Sequence, residues 1–313
     1  MVSRRDKSDR ALDLSVVAVP KPFDGTTGIQ QKNAIRSWAR LPCETEIILM
    51  GGEQGVAEIA AEVGAIQVDG IERDEFETPL LSSVYEEIGR HARGRAICYV
   101  NADIILLPDL IEALALAQHE FERFLLVARR WNIELERELS FESGWDAKLR
   151  RFVHDEGELL APKWIDIFVF SPALYPQMPE FAIGRCYWDN WLIFEARRLG
   201  VSTIDATEGT TIAHQNHGYA GGVTIADIRQ SPQGKRNFYL AGDGHYRLGQ
   251  TSDATHLIAD GQLRKTQTKT VSVNLPHHDN SGRVKNYRSE VQSAELFTLL
   301  RQSITREHKN KDA

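Results

Sequence analysis

Close cysteine pairs are missing from this chain. Its three cysteines, Cys43, Cys98 and Cys186, are far apart, which excludes zinc knuckles and dithiol redox centres built on thiols a few residues apart. Cys98, inside an apolar run, reads as a small buried hydrophobe. Long hydrophobic runs are missing too. None approaches the roughly 20 residues that a membrane helix needs, and residues 1–10 are polar, without the apolar segment of a secretory leader. A cytoplasmic setting is expected. Positive charge is not in excess: 37 Lys+Arg against 44 Asp+Glu leave a net charge of −7. Nucleic-acid readers need a basic footprint, so the balance favours a small-molecule enzyme with no nucleic-acid partner.

What is present is an alternation. Short β-branched runs at 15–20, 46–51, 65–69, 96–100 and 124–129 are separated by helical patterns at 28–41, 54–63, 79–91 and from Pro108, a residue favoured at the first helical position. Apolar strands separated by helices are covered on both faces, which predicts a mostly parallel sheet. In such sheets ligands bind beyond the carboxyl ends of the strands. Between 130 and 162 the alternation lapses. A strand at 164–170, a helix at 187–199 and strands at 201–205 and 210–213 follow. The expected division is a flexible 1–13, a main domain over 14–226, an extension over 227–304 with a terminal helix at 292–304, and a disordered basic tail at 305–313. Arg301, Arg306, Lys309 and Lys311 there could meet an anionic membrane surface. Gly242-Asp-Gly-His-Tyr246 and His277-His278-Asp279 have metal-like composition but read as solvated loops.

Three strand-end elements carry chemistry. Val100-Asn101-Ala102-Asp103 ends an apolar strand in a carboxylate at the sheet rim. A hard divalent cation takes oxygen ligands there and completes its shell with substrate phosphates. In 181–190, Gly184 permits a turn and Asp189 stands at a helix start, as a general base or a group binding an acceptor hydroxyl. His214-Gln215-Asn216-His217 places two imidazoles after a strand, and either could be a metal ligand. Five of six tryptophans, Trp131, Trp145, Trp164, Trp188 and Trp191, follow the first element. Indoles can stack on the apolar faces of sugars, and Trp188 beside Asp189 is the strongest such candidate.

In this order, the three elements resemble the GT-A-fold glycosyltransferases, of the family-2-like kind, over about 14–219. Asn101-Ala102-Asp103 stands where those enzymes have Asp-x-Asp, Gly184 where they have a glycine loop, Trp188-Asp189-Asn190 where they have an acidic helix motif, and His214 or His217 where they have a late histidine. The resemblance implies an αβα sandwich with a C-terminal extension and transfer of a sugar from a nucleotide-diphosphate donor to a glycan or lipid-linked acceptor. It implies Mn²⁺ or Mg²⁺ held by Asp103 with His214 or His217, and Asp189 as the base of an inverting enzyme or, in a retaining one, as a group that positions sugar or acceptor. Pro20, Pro22, Phe23, Gly51, Gly52, Asn101 and Asp103 are then expected on the donor, and Trp164, Gly184, Trp188 and Asn190 on the acceptor. Two departures stand out: Asn101 replaces an Asp, and the turn Gly51-Gly52-Glu53 replaces an Asp-Asp-Gly-Ser turn that meets the base. Two rivals are a sugar-phosphate nucleotidyltransferase, whose glycine-rich loop with Arg and Lys is missing after the first strand, and a catalytically degenerate sugar-binding relative.

Overall fold

The computed structural model describes residues 13–217, 223–242 and 249–267, and the backbone of 272–278 and 284–290. The first strands and helices fall close to where the hydrophobic pattern puts them. They are β1 (Leu14–Ala18), α1 (Gly25–Trp38), β2 (Thr45–Met50), α2 (Val56–Val63), β3 (Ile66–Val68), α3 (Leu81–His91) and β4 (Ala96–Val100). A two-residue strand, β5 (Ile104–Ile105), precedes α4 (Asp109–Glu120). Pro108 is the residue before that helix rather than its first. There the Asp109 carboxylate accepts from the Thr211 backbone N–H.

Next come β6 (Phe124–Arg129), β7 (Trp131–Ile133), α5 (Trp145–Glu156), β8 (Glu158–Leu159) and β9 (Ile165–Phe170). Then follow α6 (Trp188–Arg198), β10 (Ser202–Asp205), β11 (Ala213–Gln215), α7 (Ile225–Gln230), α8 (Pro232–Leu240), β12 (His256–Ala259), β13 (Gln262–Lys265), β14 (Ser272–His278) and β15 (Val284–Glu290).

The central sheet has nine strands in the order β13-β12-β10-β6-β9-β4-β1-β2-β3. All neighbours are parallel except β9, which runs antiparallel between β4 and β6, and the edge strand β13. Both faces are covered, as the apolar runs require. Val16 and Ala18 pack with Ile35 and Trp38 of α1 and Leu110 and Leu114 of α4. On the opposite face Val17 and Ile48 pack with Leu81 and Val84 of α3 and Leu192 and Ile193 of α6. After residue 227 the chain still builds this unit, because β12 pairs with β10.

A second sheet of four short strands, β5-β11-β7-β8, stands beside the first. The strand expected at 210–213 begins and ends later, at Ala213–Gln215, because its partners are Ile104–Ile105 and Trp131–Ile133 of this small sheet. His214 and Gln215 are therefore strand residues, not loop residues. The lapse in alternation at 130–162 conceals an entire helix, α5, whose Leu149 and Val153 pack with Ile133 and Leu135 under the small sheet. Among the described residues no helix is long and apolar enough to cross a membrane. The terminal helix expected at 292–304, residues 1–12 and the basic tail lie outside the described residues, as does all but Gly242 of the 242–246 motif.

Candidate active site

Asp103 leaves the sheet just past β4, where the chain turns into β5. Facing it is β11, whose pairing with β5 brings His214 opposite Ile104. His217 Nε2 lies 2.9 Å from Asp103 Oδ2, and His214 Nε2 lies 3.9 Å from the same oxygen. Ligand atoms of Asp103, His214 and His217 all fall within 4.8 Å of one another. His214 is oriented from behind, its Nδ1 being 3.0 Å from Asn132 Oδ1 on β7. Such a contact fixes the ring and turns Nε2 toward Asp103.

Buried amides under the site lock this geometry. Gln215, fully buried, donates from Nε2 to the backbone oxygens of Asp103, at 3.0 Å, and Gln30, at 2.8 Å. Its Oε1 accepts from Asn33 Nδ2 at 2.9 Å, and Gln30 Nε2 donates to the Asn216 carbonyl at 3.1 Å. A buried polar group that loses its partner costs free energy, so this network ties α1, β11 and the strand end into one arrangement. The sequence carries its signal in Gln30 and Asn33, polar residues one turn apart on the buried face of α1.

Burial pushes the Asp103 carboxyl toward protonation. The hydrogen bond from His217 and the nearby charges of His214, His217 and Lys21 outweigh it and hold the group below its ordinary range. Burial keeps His214 below the ordinary histidine range, with Asp103 opposing. Asp103 Oδ1 is buried with no hydrogen-bond partner. An ionised carboxylate oxygen of this kind, beside two imidazoles, fits a divalent cation.

Asp189 opens α6. The preceding residue but one, Tyr187, sits at φ +89°, and Gly184 at +73°. The left-handed conformation is costly for a tyrosine, and the loop is held in it from outside. Asn237 of α8 donates to the carbonyls of Ala182, at 3.0 Å, and Cys186, at 3.2 Å, and accepts from Ala182 N, while Phe238 meets the Tyr187 ring edge-on at 5.4 Å. Asp189 Oδ1 is buried and unpartnered. Burial, with the Asp166 charge adding to it and backbone hydrogen bonds opposing, pushes its pKa up to about 7.

Asp166 was not singled out by the sequence pattern. It interrupts the apolar strand β9, accepts from Asn101 Nδ2 at 2.6 Å and pairs with Arg130 Nη1 at 2.6 Å. The Arg130 guanidinium lies over the Trp164 ring, 5.2 Å from its centre. Trp164 is half-buried at this rim.

The expected donor residues follow the carboxyl ends of β1 (Pro20, Pro22 and Phe23), β2 (Gly51 and Gly52) and β4 (Asn101 and Asp103). Phe23 N donates to Gln54 O at 2.9 Å, joining the turn of Pro20, Pro22 and Phe23 to that of Gly51 and Gly52. Phe23 also packs on the core. Gly51 has φ +109°, and a Cβ there would lie 2.6 Å from Glu53 Oε2. That carboxylate pairs with Arg73 through its other oxygen, and Oε2 is buried without a partner.

On the acceptor side two expectations change. Trp188 is only 5% exposed, its ring set against Tyr99 and Phe168 with centroids 5.8 and 5.6 Å away. It is a core residue with no free face for a sugar. Asn190 donates from Nδ2 to Gly249 O at 2.8 Å, anchoring α6. Gly184 supplies the turn and no side chain. Trp131, Trp145 and Trp191 engage His154, Phe141 and Phe181 respectively. Trp164 is the indole left beside the carboxylates. A groove of about 760 Å³, lined by Leu135, Leu139, Trp145, Leu149 and Phe152, opens nearby, and its rim residue Glu134 accepts from Asn216, next to His217.

No family model and no curated protein matches the chain. Among solved structures, S. aureus TarS aligns over 66% of this chain and 37% of its own, at 10% identity and a TM-score of 0.44. TarS 1-349 in complex with UDP-GlcNAc aligns over 76% and 67%, at 10% identity and 0.47. The mannosyltransferase PcManGT from Pyrobaculum calidifontis, in complex with GDP-Man and Mn2+, aligns over 74% and 66%, at 14% identity and 0.46. The chain thus spans little over a third of the longer TarS chain.

Proposed function

We propose that this protein is a glycosyltransferase that moves a sugar from a nucleotide-diphosphate donor to an acceptor hydroxyl with the help of a divalent cation. The observation that carries the reading is the convergence of Asp103, with its unpartnered Oδ1, on His214 and His217 at the carboxyl end of β4. These three side chains would hold the cation. Its chemistry there is to neutralise charge on the departing nucleoside diphosphate. Two imidazoles in the donor set favour Mn²⁺ over Mg²⁺. Complexes of PcManGT with GDP-Man and Mn2+ and of TarS with UDP-GlcNAc suggest the probes to use.

The chain's own residues supply the rest. The turns at 20–23 and 51–52 receive base and ribose, and Lys21, whose charge reaches Asp103, faces the diphosphate. Asp189 takes the proton of the acceptor hydroxyl as that oxygen attacks the sugar carbon. Its pKa near 7 suits a base at neutral pH. Trp164 stacks on the acceptor. The groove beside Glu134 takes whatever extends beyond the accepting sugar.

The test is a thermal-denaturation screen of UDP- and GDP-sugars with and without Mn²⁺, followed by a transfer assay against glycans and lipid-linked glycans. Stabilisation by a nucleotide sugar that needs both Mn²⁺ and Asp103, with sugar transferred, supports the reading. No response of wild-type protein to any donor with Mn²⁺, or an Asp103→Ala protein that binds and transfers normally, sinks it. Pyrophosphate release from a nucleoside triphosphate and a sugar 1-phosphate would point to the nucleotidyltransferase instead.

A further inference from the structure

We propose that Asp166, in place of an acidic residue at position 101, supplies the negative charge that compensates Arg130, so that Asn101, Asp166 and Arg130 form one positioning unit beside the cation site. The inference rests on the metal-dependent reading above for its consequence, but not for its geometry. Strands β4 and β9 are antiparallel with Val100 opposite Ile167, which brings residue 101 against residue 166. The contact is double: Asn101 N donates to Asp166 O at 3.1 Å, and Asn101 Nδ2 donates to Asp166 Oδ1 at 2.6 Å. Asp166 Oδ2 is taken by Arg130 at 2.6 Å, with both side chains mostly buried, at 12% and 14% exposed.

An aspartate at 101 would put two carboxylates at that 2.6 Å contact. Like charges so close repel one another, and Arg130 is placed to offset only one of them. The contact would also lose the amide that now donates to Asp166 Oδ1. Asn101 is thus the residue that Asp166 requires, not a sign of decay.

Asp166 has a second task. The charges of Arg130 and Asp166 are both felt at His214. Without the carboxylate, a buried guanidinium would stand uncompensated beside the residues that receive the cation, and it would repel that cation. With it, Arg130 is held over Trp164.

The test is an exchange of charges: Asn101→Asp, Asp166→Asn and the double variant Asn101→Asp/Asp166→Asn. Each is titrated with Mn²⁺ alone, free ion being read by electron paramagnetic resonance, and melted in the presence of chelator. Each single change is expected to weaken Mn²⁺ binding at least tenfold and to lower the melting temperature in chelator. The double variant is expected to return the affinity to within threefold and to recover most of the melting temperature. Should Asp166→Asn fail to fold, Arg130→Gln/Asp166→Asn replaces it; removing the uncompensated cation along with its partner is expected to keep Mn²⁺ affinity within threefold of wild type. An Asn101→Asp protein that binds Mn²⁺ as tightly as wild type, or a double variant no better than the weaker single, overturns the proposal. If wild type binds no Mn²⁺, the metal reading fails, and the chelator melts alone decide whether the unit exists: recovery in the double variant upholds it, and additive losses refute it.

Discussion

His217 Nε2 sits 2.9 Å from Asp103 Oδ2, across 114 residues of sequence. That contact joins the small sheet to the end of the central one, and it makes Asp103 the hinge of the proposed chemistry. Asp103→Asn keeps the shape and removes the charge. We expect it to abolish stabilisation by Mn²⁺, which for wild type at a hundred times the dissociation constant amounts to about 2.7 kcal/mol. Melts with and without Mn²⁺ measure this. An Asn variant stabilised as strongly as wild type would show that the cation binds elsewhere.

The raised pKa of Asp189 has a signed consequence for stability. From the ordinary value of 3.8 up to about 7, the folded protein keeps a proton that the unfolded chain has released. Stability from this group therefore falls as pH rises from about 4 to 7, and stays low above that. Asp189→Asn, neutral throughout, should match wild type near pH 4 and be more stable at pH 8, by at most about 4 kcal/mol. Activity follows the opposite logic. The rate of transfer should rise with pH through about 7 as the base ionises, and the Asn variant should lose that limb. Equal melting differences at pH 4 and pH 8 would count against the burial of a neutral acid.

Two tryptophans near the carboxylates should behave differently. Trp188 fills the core against Tyr99 and Phe168, so Trp188→Ala should cost about 3–5 kcal/mol of stability. Trp164 is half-buried beneath Arg130. Trp164→Ala should leave the fold close to wild type and raise the acceptor KM several-fold with little change for the donor. Denaturant melts and initial rates separate the two outcomes. A donor KM that rises equally would move Trp164 off the acceptor side.

These pairs also show how much of the molecule was legible in the sequence. The strands β1, β2, β4 and β6 and the helix α6 follow from apolar runs and periodicity, which record burial. Asp103 follows from the rule that strand ends in a parallel sheet share one edge, but His214 and His217 reach it through the pairing of β11 with β5 in the small sheet. Asp166 was not, because pairing β9 antiparallel between β4 and β6 is a long-range choice that no local pattern encodes. Trp188 misled for a related reason. An indole beside a carboxylate looks the same in sequence whether it faces ligand or core, and the α6 register decides. Helix α5 escaped because its many charges, on the solvent face, mask the short apolar stripe of Leu149 and Val153.

The residues after 227 should matter to catalysis through Asn237. This fully buried side chain serves both the N–H and the carbonyl of Ala182 and also the carbonyl of Cys186. It pins the loop in which Gly184 and Tyr187 adopt left-handed backbone. Asn237→Ala strands those buried groups, at about 1–3 kcal/mol for each left unsatisfied. With its brace gone, the Tyr187 strain can relax, and Asp189 two residues later loses its fixed aim. We therefore expect the rate of transfer to fall by tenfold or more while Mn²⁺ affinity changes less than threefold, since Asp103, His214 and His217 are held by a separate network through Gln215. Asn237→Asp keeps the acceptor for Ala182 N but not the donors, and should fall between the two. A loss of Mn²⁺ affinity equal to the loss of rate would mean that the loop and the cation site are one cooperative unit.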